Sequence, residues 1–260
     1  MKIALYNHLL LTPAQRDRID IVLVSPRNPL NIGAVARAMA NFGFARLTVA
    51  APYAPNWREA KSAVGAPELL QNAKGTECLA EAAAQCSFVA GTGTLTHRKP
   101  EQEVLQLHDL APRMHLALDG GGRAALVFGS EKHGLTREDL SYCHALVEIP
   151  TDPHQPSMNL GQAAAVCLYE LARPIANPAF IEPAQLSADS GALDRLANLI
   201  EETMAAADYS PAAMRAANQH DLRLLLRRLH FSPHDTRRAM GLFRRILWRI
   251  RRRLSLTNEL

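Results

Sequence analysis

Apolar residues along this chain fall into two rhythms. The first two thirds carry short, nearly continuous apolar runs: Ile19–Val24, Arg46–Ala50, Ser87–Gly91, Ala124–Gly129 and Ala145–Ile149. Runs that do not alternate with polar residues predict strands covered on both faces, as in a parallel sheet. Between them, Asn31–Phe42, Glu77–Gln85, Arg137–Tyr142 and Leu160–Leu171 have helical spacing. Strand and helix in alternation predict an α/β fold built on a parallel sheet. Ligand sites in such sheets gather at the carboxyl ends of the strands.

The rhythm changes after Arg173. The stretch Arg173–Gly191 holds three prolines and ends in small polar residues, the composition of a linker. Everything beyond it is helical in pattern. Leu222, Leu225, Leu226 and Leu229 are expected on one face of a helix. The last helix opens with Ser232 as cap, Pro233 in the first turn and Asp235 behind it. Its expected apolar stripe is Ala239, Met240, Phe243, Ile246, Leu247, Ile250 and Leu254. The pattern thus predicts an α/β domain over residues 1–173, a linker over 174–191 and a basic helical domain over 192–260.

Composition narrows the class. With 48% hydrophobic and 21% charged residues, the chain is expected to be a soluble globular protein. Its apolar runs are too short to span a bilayer, so no membrane partner is expected. The N-terminal stretch "MKIALYNHLL" has one basic residue, Lys2, and no small-residue cleavage site, so it is not expected to be a signal peptide. Cys78, Cys86, Cys143 and Cys167 show no CxxC pair and no metal spacing with the histidines. They are expected to be free thiols in a reducing cytoplasm, with no protein-bound metal.

Charge separates the two parts. From Pro211 to Leu260 there are 12 arginines against three acids, a net +9, which leaves the rest of the chain at −5. A solvated helix face would accept such arginines. Their density and single sign point instead to the phosphates of RNA or DNA, with Arg227, Arg228, Arg244 and Arg245 as contacts.

Four stretches are candidates for chemistry. In "NPLNIGAVARAMANFG" (Asn28–Gly43), Ile32, Val35, Met39 and Phe42 form an apolar face and Arg37 points away from it. Its neighbours there, Gly33, Ala34, Ala40 and Asn41, are small, as though another surface packs closely. A guanidinium so placed suits an anion, a ribose phosphate or a subunit contact. In "FGSEKHGL", Gly129 and Gly134 frame a tight loop that carries Glu131. In "IPTDPHQPSMNLGQAAAV" (Ile149–Val166), Ser157 and Asn159 both suit an N-cap, and one cap leaves the other free for a substrate. "VAGTGTL" places Gly91, Thr92 and Gly93 after a strand, a turn without the spacing of a dinucleotide or phosphate loop.

These motifs, in this order and at these separations, resemble the SPOUT class of methyltransferases over residues 19–172. The class usually has Ser-Leu-Asn-Leu where this chain has Ser157-Met158-Asn159-Leu160, and often has Ser where Gly93 stands. A basic helical extension after the third motif is similar to the TrmJ-type tRNA 2′-O-methyltransferases. The resemblance implies a deep trefoil knot, a homodimer and S-adenosylmethionine as methyl donor. It implies tRNA as partner, with the ribose of nucleotide 32 in the anticodon loop as acceptor. It places the cofactor against Gly91, Thr92, Gly93, Gly129, Ile149, Pro156, Ser157 and Met158. Arg37 matches the class's catalytic arginine, and Asn31, Ser157 and Asn159 match residues that support it or the ribose. Glu131 matches a polar residue near the substrate cleft or the dimer contact. A ribosomal RNA target, another tRNA position, and a non-catalytic RNA-binding relative stay open at this point.

Overall fold

The computed structural model describes residues 11–60, 62–94, 100–173 and 187–257, the last four without their side chains. Most of the expected linker, residues 174–186, lies outside the described residues, as do the N-terminal residues 1–10 and the side chain of Leu254.

Seven parallel strands form one sheet: β1 (Ile19–Val24), β2 (Arg46–Ala50), β3 (Lys74–Thr76), β4 (Phe88–Thr92), β5 (Glu103–Gln106), β6 (Ala124–Phe128) and β7 (Ala145–Glu148). Their spatial order is β3-β2-β1-β6-β4-β7-β5. Every ladder is parallel, with Ile21 beside Leu47 and Leu126, and Gly91 beside Val127 and Leu146. Successive side chains go to opposite faces, and both faces are dry. Ile19, Ile21 and Leu23 join one core with α2 (Pro29–Phe42), α5 (Leu110–Asp119) and α7 (Leu160–Ala172). Val22 and Val24 join a second core with α4 (Leu79–Ala83) on the other face. That double covering is why the central strands read as unbroken apolar runs. The edge strands β3 and β5 do not, because most of their residues are exposed or only half-buried. Two shorter helices, α1 (Pro13–Arg16) and α3 (Pro67–Gln71), flank the sheet, and α6 (Arg137–Ser141) precedes β7.

The helical extension comprises α8 (Ser190–Ala206), α9 (Arg215–Arg228) and α10 (Pro233–Thr257). Helix α8 begins inside the expected linker, where its first residues are tied to the sheet domain. The Ser190 N–H and hydroxyl both donate to the Cys86 carbonyl at 2.9 Å, and the Gly191 N–H donates to the Ala84 carbonyl at 2.8 Å. A small core of Ala188, Leu193, Leu196, Ala197 and Leu226 joins the three helices. Ser232 caps α10 as expected, accepting from the Asp235 N–H at 3.1 Å.

Two expectations for the extension are corrected. Leu225 and Leu229 are 41% and 51% exposed, whereas Leu224 and Leu226 are buried. Helix α9 is covered on two sides, by α8 and by α6, so its buried set is not one leucine stripe. Arg227, expected to meet phosphate, is 2% exposed. Its guanidinium donates to Asp194 at 2.8 Å and to the Tyr142 carbonyl at 3.1 Å. It clasps α9 to α8 and to the end of α6, out of reach of RNA. Arg223 reinforces that seam by donating to Glu138 at 2.6 Å and to the Ser141 hydroxyl at 3.0 Å. Of the other expected contacts, Arg228 is exposed within 3.6 Å of Glu101, and Arg244 and Arg245 are exposed.

Candidate functional site

Strands β6, β4 and β7 are neighbours, so their carboxyl ends meet, and a cleft of about 260 Å³ opens there. Thr92 and Gly93 border it from β4, Gly129 from β6 and Ile149 from β7. Pro156, Ser157 and Met158 close it from the segment that leads into α7, and Phe128 and Leu160 supply apolar floor. The Thr92 hydroxyl donates to the Val127 carbonyl at 3.0 Å, which fixes β4 to β6 at the cleft mouth. The Thr151 hydroxyl donates to the Pro156 carbonyl at 3.2 Å and holds the closing segment in a turn.

Gly91 is the expected cofactor residue that the structure does not bring to the cleft. A Cβ there would stand 2.7 Å from the Cys143 Sγ and 2.9 Å from the Leu135 Cδ1, so this glycine serves packing behind the cleft wall. Gly129 does border the cleft, but what approaches it most closely is the chain itself. Its Cβ would lie 2.0 Å from the Gly134 carbonyl carbon and 2.2 Å from the Leu135 nitrogen. The loop therefore folds back across Gly129 and presents Ser130, Lys132 and His133 to the cleft, three residues that sequence reasoning missed. The only signal for them was their position between two glycines.

The lip of the cleft is a polar lattice. The Glu131 carboxylate accepts from the Arg27 N–H at 2.9 Å, the Asn28 N–H at 3.0 Å and the Asn31 amide at 2.9 Å. Burial alone would raise its pKa, but these donations outweigh burial and hold the carboxyl below its ordinary value. Asn31 in turn accepts from the Asn159 amide at 3.0 Å. The Asn159 oxygen caps α7 by accepting from the Gly161 N–H at 2.9 Å. Asn159, not Ser157, is therefore the cap. Ser157 is exposed on the cleft wall and has no hydrogen-bond partner among the described residues. Asn31 and Asn159 are committed to each other and to Glu131, so they position the site more than they act in it.

Arg37 is exposed on α2, with no hydrogen bond or ion pair among the described residues. It follows Asn31 by six residues, about 9 Å along the helix, and does not line the cleft of its own chain. The small residues near it do not all clear room for a ligand. Gly33 is filled by Ser62 and Ala63, with its Cβ position 2.1 Å from the Ser62 Oγ. Ala34 meets Gly161 of α7, whose Cβ position is 2.8 Å from the Ala34 Cβ. Ile32, Val35 and Met39 are buried as the periodicity predicts, with Phe42 packed against the core.

Among the described residues, no group of three or more His, Cys, Asp and Glu side chains could hold a metal ion. No described helix is long and apolar enough to cross a membrane.

A profile of the SpoU rRNA methylase family matches residues 18–169. The tRNA (cytidine/uridine/adenosine-2′-O-)-methyltransferase TrmJ of Pseudomonas aeruginosa is 40% identical over 156 residues, 60% of this chain. The chain spans 60% of that relative's length. The uncharacterized tRNA/rRNA methyltransferase LasT of Escherichia coli K12 is 33% identical over 222 residues, 82% of this chain and 96% of its own. The crystal structure of TrmJ from Z. mobilis ZM4 superposes with a TM-score of 0.77 at 27% identity, covering 87% of this chain and 98% of that one. The extension as well as the sheet therefore has a structural counterpart. Because that profile spans more than half of the chain, the chain belongs to the SpoU rRNA methylase family.

Proposed function

We propose that this protein is a cytoplasmic homodimer that methylates the 2′-hydroxyl of a tRNA ribose, at nucleotide 32 of the anticodon loop. The observation that carries the reading is one cleft assembled from three separated stretches of chain, with Ser157 on its wall and Arg37 beyond its lip, neither side chain having a partner among the described residues. The Pseudomonas relative, named as a tRNA 2′-O-methyltransferase, supports the same reaction class. A path knotted where β7 and α7 pass the β6 loop is part of the proposal.

The cleft fits S-adenosylmethionine as donor. Phe128, Leu160 and Met158 offer apolar surface for a flat base, and strand-end backbone at Gly93, Gly129 and Ile149 borders it. The cofactor supplies an activated methyl group. The chain must orient the acceptor hydroxyl and stabilise its developing charge. A guanidinium keeps its proton near neutral pH, so Arg37 is no general base. It grips the ribose phosphate and stabilises alkoxide character, while Ser157 orients the hydroxyl, whose proton passes to water, phosphate or another side chain late in the step. Glu131, Asn31 and Asn159 hold the two motif loops in register.

Arg37 serves the cleft of a second copy. The outward face of α2 and α7 exposes Leu30 at 56% and Tyr169 at 55% beside small residues, a surface suited to a self-complementary contact.

The test is labelled S-adenosylmethionine with unmodified tRNA and, separately, ribosomal RNA, followed by mapping of the modified nucleotide. One 2′-O-methyl group at position 32 of tRNA is expected. Label only in ribosomal RNA would correct the target. RNA binding without any incorporation would make the protein a non-catalytic relative.

A further inference from the structure

Helix α10 docks on α8 through one face, with Leu247 buried and Met240 and Phe243 packed on the small core. At about 3.6 residues per turn, Arg237, Gly241, Arg244, Arg245, Trp248 and Arg252 share the opposite face. Trp248 lies at its centre and is 54% exposed, whereas the chain's other tryptophan, Trp57, is 2% exposed. Shallow grooves run along both sides of the indole, one of them lined by Gly241, Arg244, Arg245, Trp248 and Arg249. The Arg252 guanidinium sits over one side of the ring, 5.3 Å from its centroid. Arg244, Arg245 and Arg249 have no ion-pair or hydrogen-bond partner among the described residues, unlike Arg223 and Arg227 on α9.

Gly241 adds an independent sign. A glycine inside a helix costs about 0.5–1 kcal/mol relative to alanine. Packing usually explains such a residue, yet a Cβ at Gly241 would meet nothing within 4 Å. The gap lies two turns from Trp248 in the same groove, where it lets an incoming chain approach the helix backbone.

We propose that Trp248 is a stacking platform for one unpaired base of the RNA, with Arg244, Arg245 and Arg249 holding the flanking phosphates. This rests on the reading of the protein as an RNA methyltransferase. An aromatic ring inside a row of unpaired cations is the composition of single-strand recognition, because every base has a face to stack and every nucleotide a phosphate. A duplex hides its base faces and leaves the indole unused. A basic amphipathic helix also suits an anionic membrane surface. Here, however, Leu247, Met240 and Phe243 are turned onto α8, and the exposed Leu242 and Ile246 lie on other sides of the helix from Trp248, so the arginine-lined face carries one aromatic ring rather than an apolar stripe.

The experiment titrates the full-length protein with an anticodon stem–loop RNA, a fully paired RNA of equal length, and phosphatidylglycerol vesicles, reading tryptophan fluorescence. Trp57 is buried and gives a constant background. The stem–loop quenches Trp248 and the duplex does not. Trp248→Ala weakens stem–loop binding by about 5- to 150-fold, the value of one stacked base, and leaves the salt dependence unchanged. Trp248→Phe keeps most of the affinity. Arg244→Ala/Arg245→Ala flattens the salt dependence. Gly241→Ala weakens binding while raising the melting temperature. If Trp248→Ala binds as the parent does while the arginine variant is weakened, stacking fails and the tail's RNA role stands. If neither variant is weakened, both fail. Equal quenching by duplex RNA, or quenching by vesicles alone, overturns the proposal.

Discussion

Arg227 is where the sequence points to phosphate and the structure points to a clasp, and the two have opposite consequences. Arg227→Met keeps the side chain's volume and removes its charge. Asp194 is left without its partner at 2.8 Å and the Tyr142 carbonyl without its donor at 3.1 Å. Breaking a buried pair from one side costs about 3–5 kcal/mol. The Asp194 side chain is 20% exposed, so water relieves part of the loss, and about 3 kcal/mol is expected. In a protein of this size each kcal/mol lowers the melting temperature by about 2–4 °C, so the drop should be about 6–12 °C. Replacing both partners, Arg227→Met with Asp194→Leu, should recover most of it, because an apolar pair of similar volume needs no compensation. Thermal melts of the three proteins, with RNA binding measured against salt, make the assay. Unchanged melting of Arg227→Met together with weaker, less salt-dependent RNA binding would return Arg227 to the phosphate-contact role and refute the clasp.

Three further outcomes follow from the site and its surroundings. Glu131 has a pKa held below its ordinary value of 4.5, so its tie across the lip is complete above that value and is lost as pH falls through the lowered one. Amide signals of Arg27 and Asn28 should titrate below pH 4.5 and stop titrating in Glu131→Gln, and a midpoint above 4.5 would contradict the lattice. Gly129→Ala should displace the loop that folds back over it, cost about 1–3 kcal/mol by overpacking and abolish S-adenosylmethionine binding in calorimetry. Binding equal to the parent would show that the loop yields freely. Burial pushes the Cys86, Cys143 and Cys167 thiols up to about 12, while Cys78 is exposed. One thiol per folded chain should react with a disulfide reagent at pH 8, and four after unfolding.

The central strands were legible because a doubly covered sheet writes itself as unbroken apolar runs. Strands β3 and β5 were not, since an edge strand pairs through its backbone and needs no apolar side chains. Helix α5 buries Leu110, Met114 and Leu118 on one stripe, yet it drew no prediction because the surrounding segment is short and mixed. At the site, the motifs named the right loops but misjudged what the glycines do. Gly91 and Gly129 were expected against the cofactor, and each is first a close contact inside the chain, whereas Gly33 meets the closely packed surface expected for it. Gly129 meets its own loop at Gly134 and Leu135, whereas the contacts of Gly33 and Gly91 join residues far apart in sequence, so no local pattern records them. The same reason hid Arg227, whose partners Asp194 and Tyr142 lie 33 and 85 residues away.

In the proposed enzyme, one copy's cleft and its partner's Arg37 make a single methylating site. Arg37→Ala and Ser157→Ala should each lower tRNA methylation by about 10²–10³-fold. Neither side chain has a structural partner among the described residues, so both variants should melt like the parent. The decisive measurement mixes the two inactive proteins, lets subunits exchange and assays methyl transfer to tRNA. The mixed dimers then carry one intact site, and activity should return to about a quarter of the parent's. A mixture as inactive as its components would place Arg37 and Ser157 in the same chain's site and contradict the claim.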